Sequence, residues 1–157
     1  MKPLCEALKG LEVEPLEWTK ECQEVFDTIK TKLISAPALG LPNLDKLFSL
    51  CVHERQRISL GVLTQKLDMT TQPVAYFSKQ LDQTVTGWLP CLRTVAATCD
   101  ILQEAEKFTL GQPTMVCVPH QVLTLLEQKG GHWLTAGRMG KCQAILLDNP
   151  NVQMQVS

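Results

Sequence analysis

The stretch from 47 to 81, LFSLCVHERQRISLGVLTQKLDMTTQPVAYFSKQL, leaves the fewest folding options open. Phe48, Leu50 and Val52 alternate with Ser49, Cys51 and His53, which is the period of a half-buried strand. Glu54 to Arg57 is polar and reads as a short hairpin loop. Ile58, Leu60 and Val62 repeat the alternation within a second run, Ile58 to Leu67. Asp68 to Gln72 is a second polar connection, and Pro73 opens a third run, Val74 to Ser78. Connections this short join antiparallel neighbours, because a parallel pair needs a longer crossover. A three-stranded meander is expected, with the remaining elements packed on it.

Residues 1 to 16 read as a lead-in, punctuated by Pro3, Gly10 and Pro15. Trp18 to Ser35 is expected to be a helix, with Trp18, Cys22, Val25, Phe26, Ile29 and Leu33 as one apolar stripe. It should stop ahead of Pro37, and Ala36 to Lys46 reads as an extended connection. Asp82 to Leu89 is expected to be a loop. Pro90 suits the first turn of a helix whose buried side is Leu92, Val95, Ala96, Cys99 and Leu102. Thr114 to Val118 suits a central strand buried on both faces. Pro119 to Lys129 reads as a helix carrying Val122, Leu125 and Leu126 inward and broken by Gly130-Gly131. Thr135 is a candidate cap for a last helix reaching Leu147, with Met139, Cys142, Ile145 and Leu146 inward. Asn149-Pro150-Asn151 is a turn, and Val152 to Val156 a final strand. The order is β-β-β-α-β-α-α-β preceded by one N-terminal helix. It predicts an α/β protein with a mixed sheet, compatible with an RNase H-like fold. The expected division is a lead-in and helix over 1–36 and the mixed-sheet domain over 37–157.

At 45% hydrophobic and 20% charged residues, the 157-residue chain has the balance of a globular protein, not a disordered one. No run approaches the roughly 18 apolar residues of a membrane span, and the N-terminus lacks the pattern of a secretory signal. The expected setting is neither secreted nor membrane-bound, and is cytoplasmic or left unassigned. The formal net charge of −1 argues against tight, autonomous nucleic-acid binding. Seven cysteines, an odd number with no C-x-x-C pair, read as buried free thiols in a reducing compartment. Their spacing with His53, His120 and His132 offers no paired metal ligands.

The runs APALGLP (36–42), GVLTQKL (61–67), PVAYFSKQLD (73–82) and GWLPCLRTVAA (87–97) resemble the pol polyprotein of gammaretroviruses and related endogenous retroviruses. TLGQPTMVCVPHQVLTLLE (109–127), HWLTAGRM (132–139) and LLDNP (146–150) continue the resemblance in the same order, over nearly the whole chain. It implies the end of a reverse transcriptase thumb over 1–36, followed by the connection domain. That domain would be an RNase H-like fold, without activity of its own, between the polymerase and the true RNase H domain. The polymerase and RNase H domains of the parent polyprotein would be its partners. No cofactor is implied.

RNase H chemistry needs about four carboxylates holding two Mg²⁺ ions astride the scissile phosphate. The resemblance implies where active relatives carry them: on the first strand, on the first helix, after the fourth strand and on a later helix. The first strand closes on His53, with Glu54 expected on the other face. The first helix offers Arg93 in its first turn, and Asp100 and Glu104 come too late. The fourth strand ends at Val118-Pro119-His120, and Asp148 stands at the end of the later helix. The expected carboxylate positions near His53, Arg93 and Pro119 are thus not acidic, so no catalytic residue and no metal site are assigned. His53 and His120 read as polar strand-end residues rather than a metal pair. Cys91 and Cys117 read as packing residues rather than nucleophiles, for want of a His–acid relay. Gly130-Gly131 lacks the following Lys-Ser/Thr of a phosphate loop. Trp88 and Trp133 read as anchors of loops to the core.

Candidates for contact with an RNA–DNA hybrid or DNA duplex, in the setting of the whole polymerase, are Arg55, Arg57, Lys66, Lys79, Arg93, Lys129, Arg138 and Lys141. Such phosphate contacts position a duplex without reading its sequence. Two other readings stay open at this point. One is a domesticated retroviral remnant acting as a protein-interaction module through exposed apolar surface. The other is an active hybrid ribonuclease.

Overall fold

The computed structural model describes residues 2–8, 15–128 and 137–156. The chain forms two compact units, Met1–Ala38 and Leu39–Ser157. The first holds α1 (Lys2–Ala7) and α2 (Lys20–Ser35), which pack together. Helix α1 falls in the segment expected to be a lead-in. Thr19 caps α2, its hydroxyl accepting the Cys22 N–H at 3.2 Å. Trp18 therefore stands ahead of the helix rather than in it. Its indole donates to Gln23 Oε1 at 2.7 Å and meets Phe26 edge-on, with centroids 5.7 Å apart. The expected stripe is only partly covered: Cys22 is buried, Val25 and Ile29 are half-buried, and Leu33 is 70% exposed. Ala36 is extended, as a residue before proline should be.

The second unit is built on the meander β1 (Phe48–Arg55), β2 (Ile58–Leu67) and β3 (Thr70–Gln80). Both connections are shorter than the sequence suggests. Gln56 and Arg57 alone turn the first hairpin, at φ 53° and 64°, the paired positive values of a type I′ turn. Asp68 and Met69 alone turn the second. Neither Gln nor Arg announces a left-handed turn, so the residues from 54 onward looked like loop. Pro73 lies inside β3 and does not open it. The position is tolerated because β3 is an edge strand. A bulge falls beside it: Leu63 faces Ala75 while Thr64 faces Pro73, so Val74 is the extra residue. The bulge explains how the adjacent Val74 and Ala75 are both buried. Gly40 donates its N–H to the Pro73 carbonyl at 2.7 Å, covering part of that edge.

A short α3 (Gln83–Thr86), capped by Asp82, occupies the expected loop. Helix α4 (Pro90–Thr109) follows, with proline in its first turn, then β4 (Thr114–Val118), α5 (His120–Gln128), α6 (Arg138–Leu147) and β5 (Val152–Val156). Gly137 stands at the N-cap of α6; Thr135 and Gly130-Gly131 lie outside the described residues. The strand order is β3-β2-β1-β4-β5, with β4 parallel to both its neighbours. This is the mixed sheet of an RNase H-like fold. β4 is interior as expected, but Met115 and Cys117 on its outer face are only half-buried.

Helix α4 is buried without a break from Val95 to Leu102. The sheet packs on one side of it and α5 and α6 on another. Phe48 and Leu50 of β1 and Val116 and Val118 of β4 complete that core. β2 approaches α4 through Gly61, where a Cβ would lie 2.4 Å from Ile101 Cγ2. Gln65 is buried, yet its amide is fully used. It donates to the Asn43 and Lys46 carbonyls at 2.7 and 3.1 Å and accepts the Asn43 N–H at 2.9 Å. The 43–46 connection is thereby pinned to the sheet. No described helix is long and apolar enough to cross a membrane.

Candidate functional site

Along β1, Phe48, Leu50 and Val52 turn inward, toward the face packed by α4. Because the strand runs on to Arg55, the next inward side chain is Glu54. His53 points the other way and is exposed. This corrects the expectation that the strand closes on His53 with Glu54 turned away from the helix. Glu54 Oε1 accepts the Arg57 N–H at 2.9 Å and lies 3.5 Å from Arg93 Nε. The side chains of Glu54 and Arg93 are 7% and 23% exposed. Arg93 is set by the first turn of α4, and its Nη1 donates to the Trp88 carbonyl at 3.4 Å. Ser59 faces Glu54 across the ladder; it is fully buried and its Oγ has no hydrogen-bond partner. Arg93 Nε also lacks an aligned hydrogen bond, so its attraction to Glu54 is Coulombic. At the corner where β1 meets α4, a guanidinium thus already neutralises the Glu54 carboxylate.

The remaining candidate carboxylates are dispersed. Asp100 is buried in α4, about two turns beyond Arg93. Glu104 pairs with Lys107 and, at 3.9 Å, with Lys79. The hydrogen bond from Lys107 and then its charge hold the Glu104 carboxyl below its ordinary range; Lys79 adds to this and burial opposes it. Asp148 is the exposed C-cap of α6. Pro119 directly follows β4 and carries no acid. Among the described residues, no three His, Cys, Asp or Glu side chains gather into a set able to hold a metal ion. His120 is the first residue of α5 rather than a strand end; it is exposed, and its carbonyl accepts the Thr124 hydroxyl at 3.0 Å. Cys91 is half-buried in the first turn of α4. Trp88 packs against the core, while Trp133 and His132 lie outside the described residues.

The basic candidates divide by place. Arg55 precedes the first hairpin turn and Arg57 lies in it, and the Arg57 carbonyl accepts the Leu81 N–H at 2.9 Å, bringing in the end of β3 with Lys79. Arg93 meets this corner through Glu54. Lys66 stands near the far end of β2 opposite Thr71, and Lys141 lies on α6. Arg55, Arg57, Lys66, Lys79 and Lys141 are exposed. Arg138 opens α6, and Lys129 lies outside the described residues. Sequence reasoning missed the Glu54–Arg93 pair and the Gln65 clamp. Carrying the β1 alternation one step further would have found Glu54; Gln65 carries no signal in the sequence.

A family model for the RNase H-like domain found in reverse transcriptase matches residues 18–116. The Gag-Pol polyprotein of baboon endogenous virus (strain M7) is 47% identical over 142 residues, 90% of this chain and 8% of that protein. The Pol polyprotein of feline endogenous virus ECE1 is 45% identical over 142 residues, 90% of this chain and 14% of that protein. The Gag-Pol polyprotein of koala retrovirus is 45% identical over 134 residues, 85% of this chain and 8% of that protein. The chain thus spans roughly a tenth of the length of these curated relatives. Among solved structures, the foamy viral protease-reverse transcriptase in complex with dsDNA has a TM-score of 0.78 at 17% identity, over 99% of this chain and 33% of that one. The same enzyme in complex with RNA/DNA hybrid has a TM-score of 0.71 at 19% identity, over 99% and 21%. These two likenesses show the fold. From its sheet, its helices and the match over 18–116, the chain belongs to the family of RNase H-like domains found in reverse transcriptase.

Proposed function

We propose that this is a connection-type RNase H-like domain: a segment of a retroviral Pol polyprotein that links polymerase to RNase H and catalyses nothing itself. Residues 1–36 belong to the end of the thumb in this reading, and 37–157 to the connection. The observation that carries it is the Glu54–Arg93 pair. A two-metal nuclease needs several carboxylates converging on the cations. Here Glu54, the acid that β1 turns toward α4, lies 3.5 Å from a guanidinium. In the whole polymerase the exposed basic residues would add weak, sequence-independent contacts to a primer–template duplex. Foamy viral relatives of the same fold were solved with dsDNA and with RNA/DNA hybrid, which supports that setting.

The test uses the full chain with a labelled RNA–DNA hybrid. Expected are no cleavage in Mg²⁺ or Mn²⁺ and salt-sensitive binding in the micromolar range or weaker. Metal-dependent cleavage that disappears in Glu54→Gln would overturn the non-catalytic reading. No binding below about 100 μM at low salt would overturn the duplex contacts, since phosphate interactions are strongest there. A protein-interaction role has one observation of its own: Leu33 and Ile34 of α2 are 70% and 84% exposed. Capture of polymerase-thumb segments by the parent chain, lost in Leu33→Ser/Ile34→Ser, is the result expected of it.

A further inference from the structure

We propose that Cys51 and Cys117 form a thiol modification site: Cys51 takes a glutathionyl group from glutathione disulfide, and Cys117 displaces it to close a bond between β1 and β4. The two cysteines are direct partners in the parallel β1–β4 ladder. Neighbouring strands lie about 4.8 Å apart, inside the roughly 4.4–6.8 Å Cα separation that a disulfide spans. Phe48, Leu50 and Val52 on β1, and Thr114, Val116 and Val118 on β4, turn inward and are buried. Both cysteines therefore project from the opposite face of the sheet. The thiols sense one another there: burial pushes the Cys117 thiol up, and Cys51 pushes it further.

Exposure assigns the roles. Cys51 is exposed and Cys117 half-buried. Cys51 also lines a hollow of about 490 Å³ with His53, Leu60, Val62, Tyr76 and Ser78. The hollow is open to solvent and mostly apolar, so it leaves Cys51 within reach of a small disulfide. Cys51 thiolate attacks one sulfur of the disulfide, forming the mixed disulfide and expelling one glutathione thiolate. Cys117 then loses its proton and attacks the Cys51 sulfur, expelling the second. Two protein thiols are oxidised to one disulfide, glutathione disulfide is reduced to two glutathiones, and the two thiol protons end on them. Cys22, Cys99 and Cys142 are buried and take no part.

The experiment uses the full chain in a Cys5→Ser/Cys91→Ser background, treated with glutathione disulfide and read by intact mass and peptide mapping. The expected product has lost two hydrogens, with Cys51 linked to Cys117, and excess reduced glutathione reverses it. Cys117→Ser should stall with one glutathione on Cys51, and Cys51→Ser should leave Cys117 largely unmodified. Circular dichroism confirms that each variant is folded. A parent that stops at the glutathione adduct overturns the proposal. So does a Cys117→Ser variant that takes up no glutathione, or modification of Cys117 undiminished by Cys51→Ser.

Discussion

The Glu54–Arg93 pair decides how the β1–α4 corner behaves. A carboxylate 7% exposed cannot be left alone cheaply, because removing one partner of a shielded pair strands the other's charge. Arg93→Ala should cost about 2 kcal/mol of unfolding free energy, discounted for the partial exposure of the guanidinium. Glu54→Gln should cost less, since an amide oxygen still accepts the Arg57 N–H; urea melts of the two variants check the order. Ser59 is the opposite case. Its buried Oγ has no partner, so Ser59→Ala should leave stability unchanged or raise it by up to about 1 kcal/mol. Glu104 answers to pH. Its folded carboxyl titrates below the ordinary 4.5, so its contribution is present above that value and fades as pH falls through the lowered one. Lys107→Met removes the first cause of the lowering, and NMR titration should find the Glu104 midpoint moved up toward 4.5.

Packing of β2 on α4 works at the scale of elements, and it has no tolerance at Gly61. An added methyl would sit 2.4 Å from Ile101 Cγ2, within the buried run of α4. Gly61→Ala should destabilise by about 1–3 kcal/mol, with Ile101→Leu, which has no γ2 methyl, recovering part of the loss when the double variant is melted beside the singles. The hairpin turn offers the reverse change. Arg57 sits at φ 64°, so Arg57→Gly should stabilise by roughly 0.5–1 kcal/mol in the same melts. These elements also show what the sequence made legible. β1, α4 and the inner face of β4 were readable because apolar spacing reports burial on a known period. β2 inverts its expected alternation: Ser59, Gly61, Leu63 and Gln65 turn inward while Ile58 and Leu60 are exposed, because Gly61 is what the close approach of α4 requires. The bounds of the turns were not readable, because Gln56, Arg57 and Asp68 take left-handed φ without glycine to signal it. That one ambiguity hid Glu54: ending β1 at His53 assigned the inward position to the wrong residue. Helices of four and six residues, α3 and α1, are too short to carry a period. Gln65 was invisible because its partners, Asn43 and Lys46, are backbone groups brought near only by the fold.

At the scale of the whole molecule, charge sets the terms of any contact with nucleic acid. Fifteen basic residues stand against sixteen acidic ones, so no overall attraction draws a duplex in. Contact must then come from local groups, and these are unequal. Lys79 is shared with Glu104, and Arg93 with Glu54. Arg55 and Arg57 are exposed together at one hairpin turn, with Lys66 at the far end of β2. Each phosphate neutralised contributes about −0.9 to the slope of log K against log salt. Two or three such contacts predict a slope of about −2 to −3, well short of a dedicated duplex-binding protein. Arg55→Gln/Arg57→Gln should flatten that slope by nearly 2, while Lys79→Gln changes it by well under 1, because Glu104 already offsets the charge it removes. The same series on hybrids of unrelated sequence should superimpose, since phosphate contacts carry no base information. Fluorescence anisotropy over a potassium chloride series measures all three slopes. A slope untouched by the arginine pair would move the duplex contact away from the hairpin, toward Lys66 or α6.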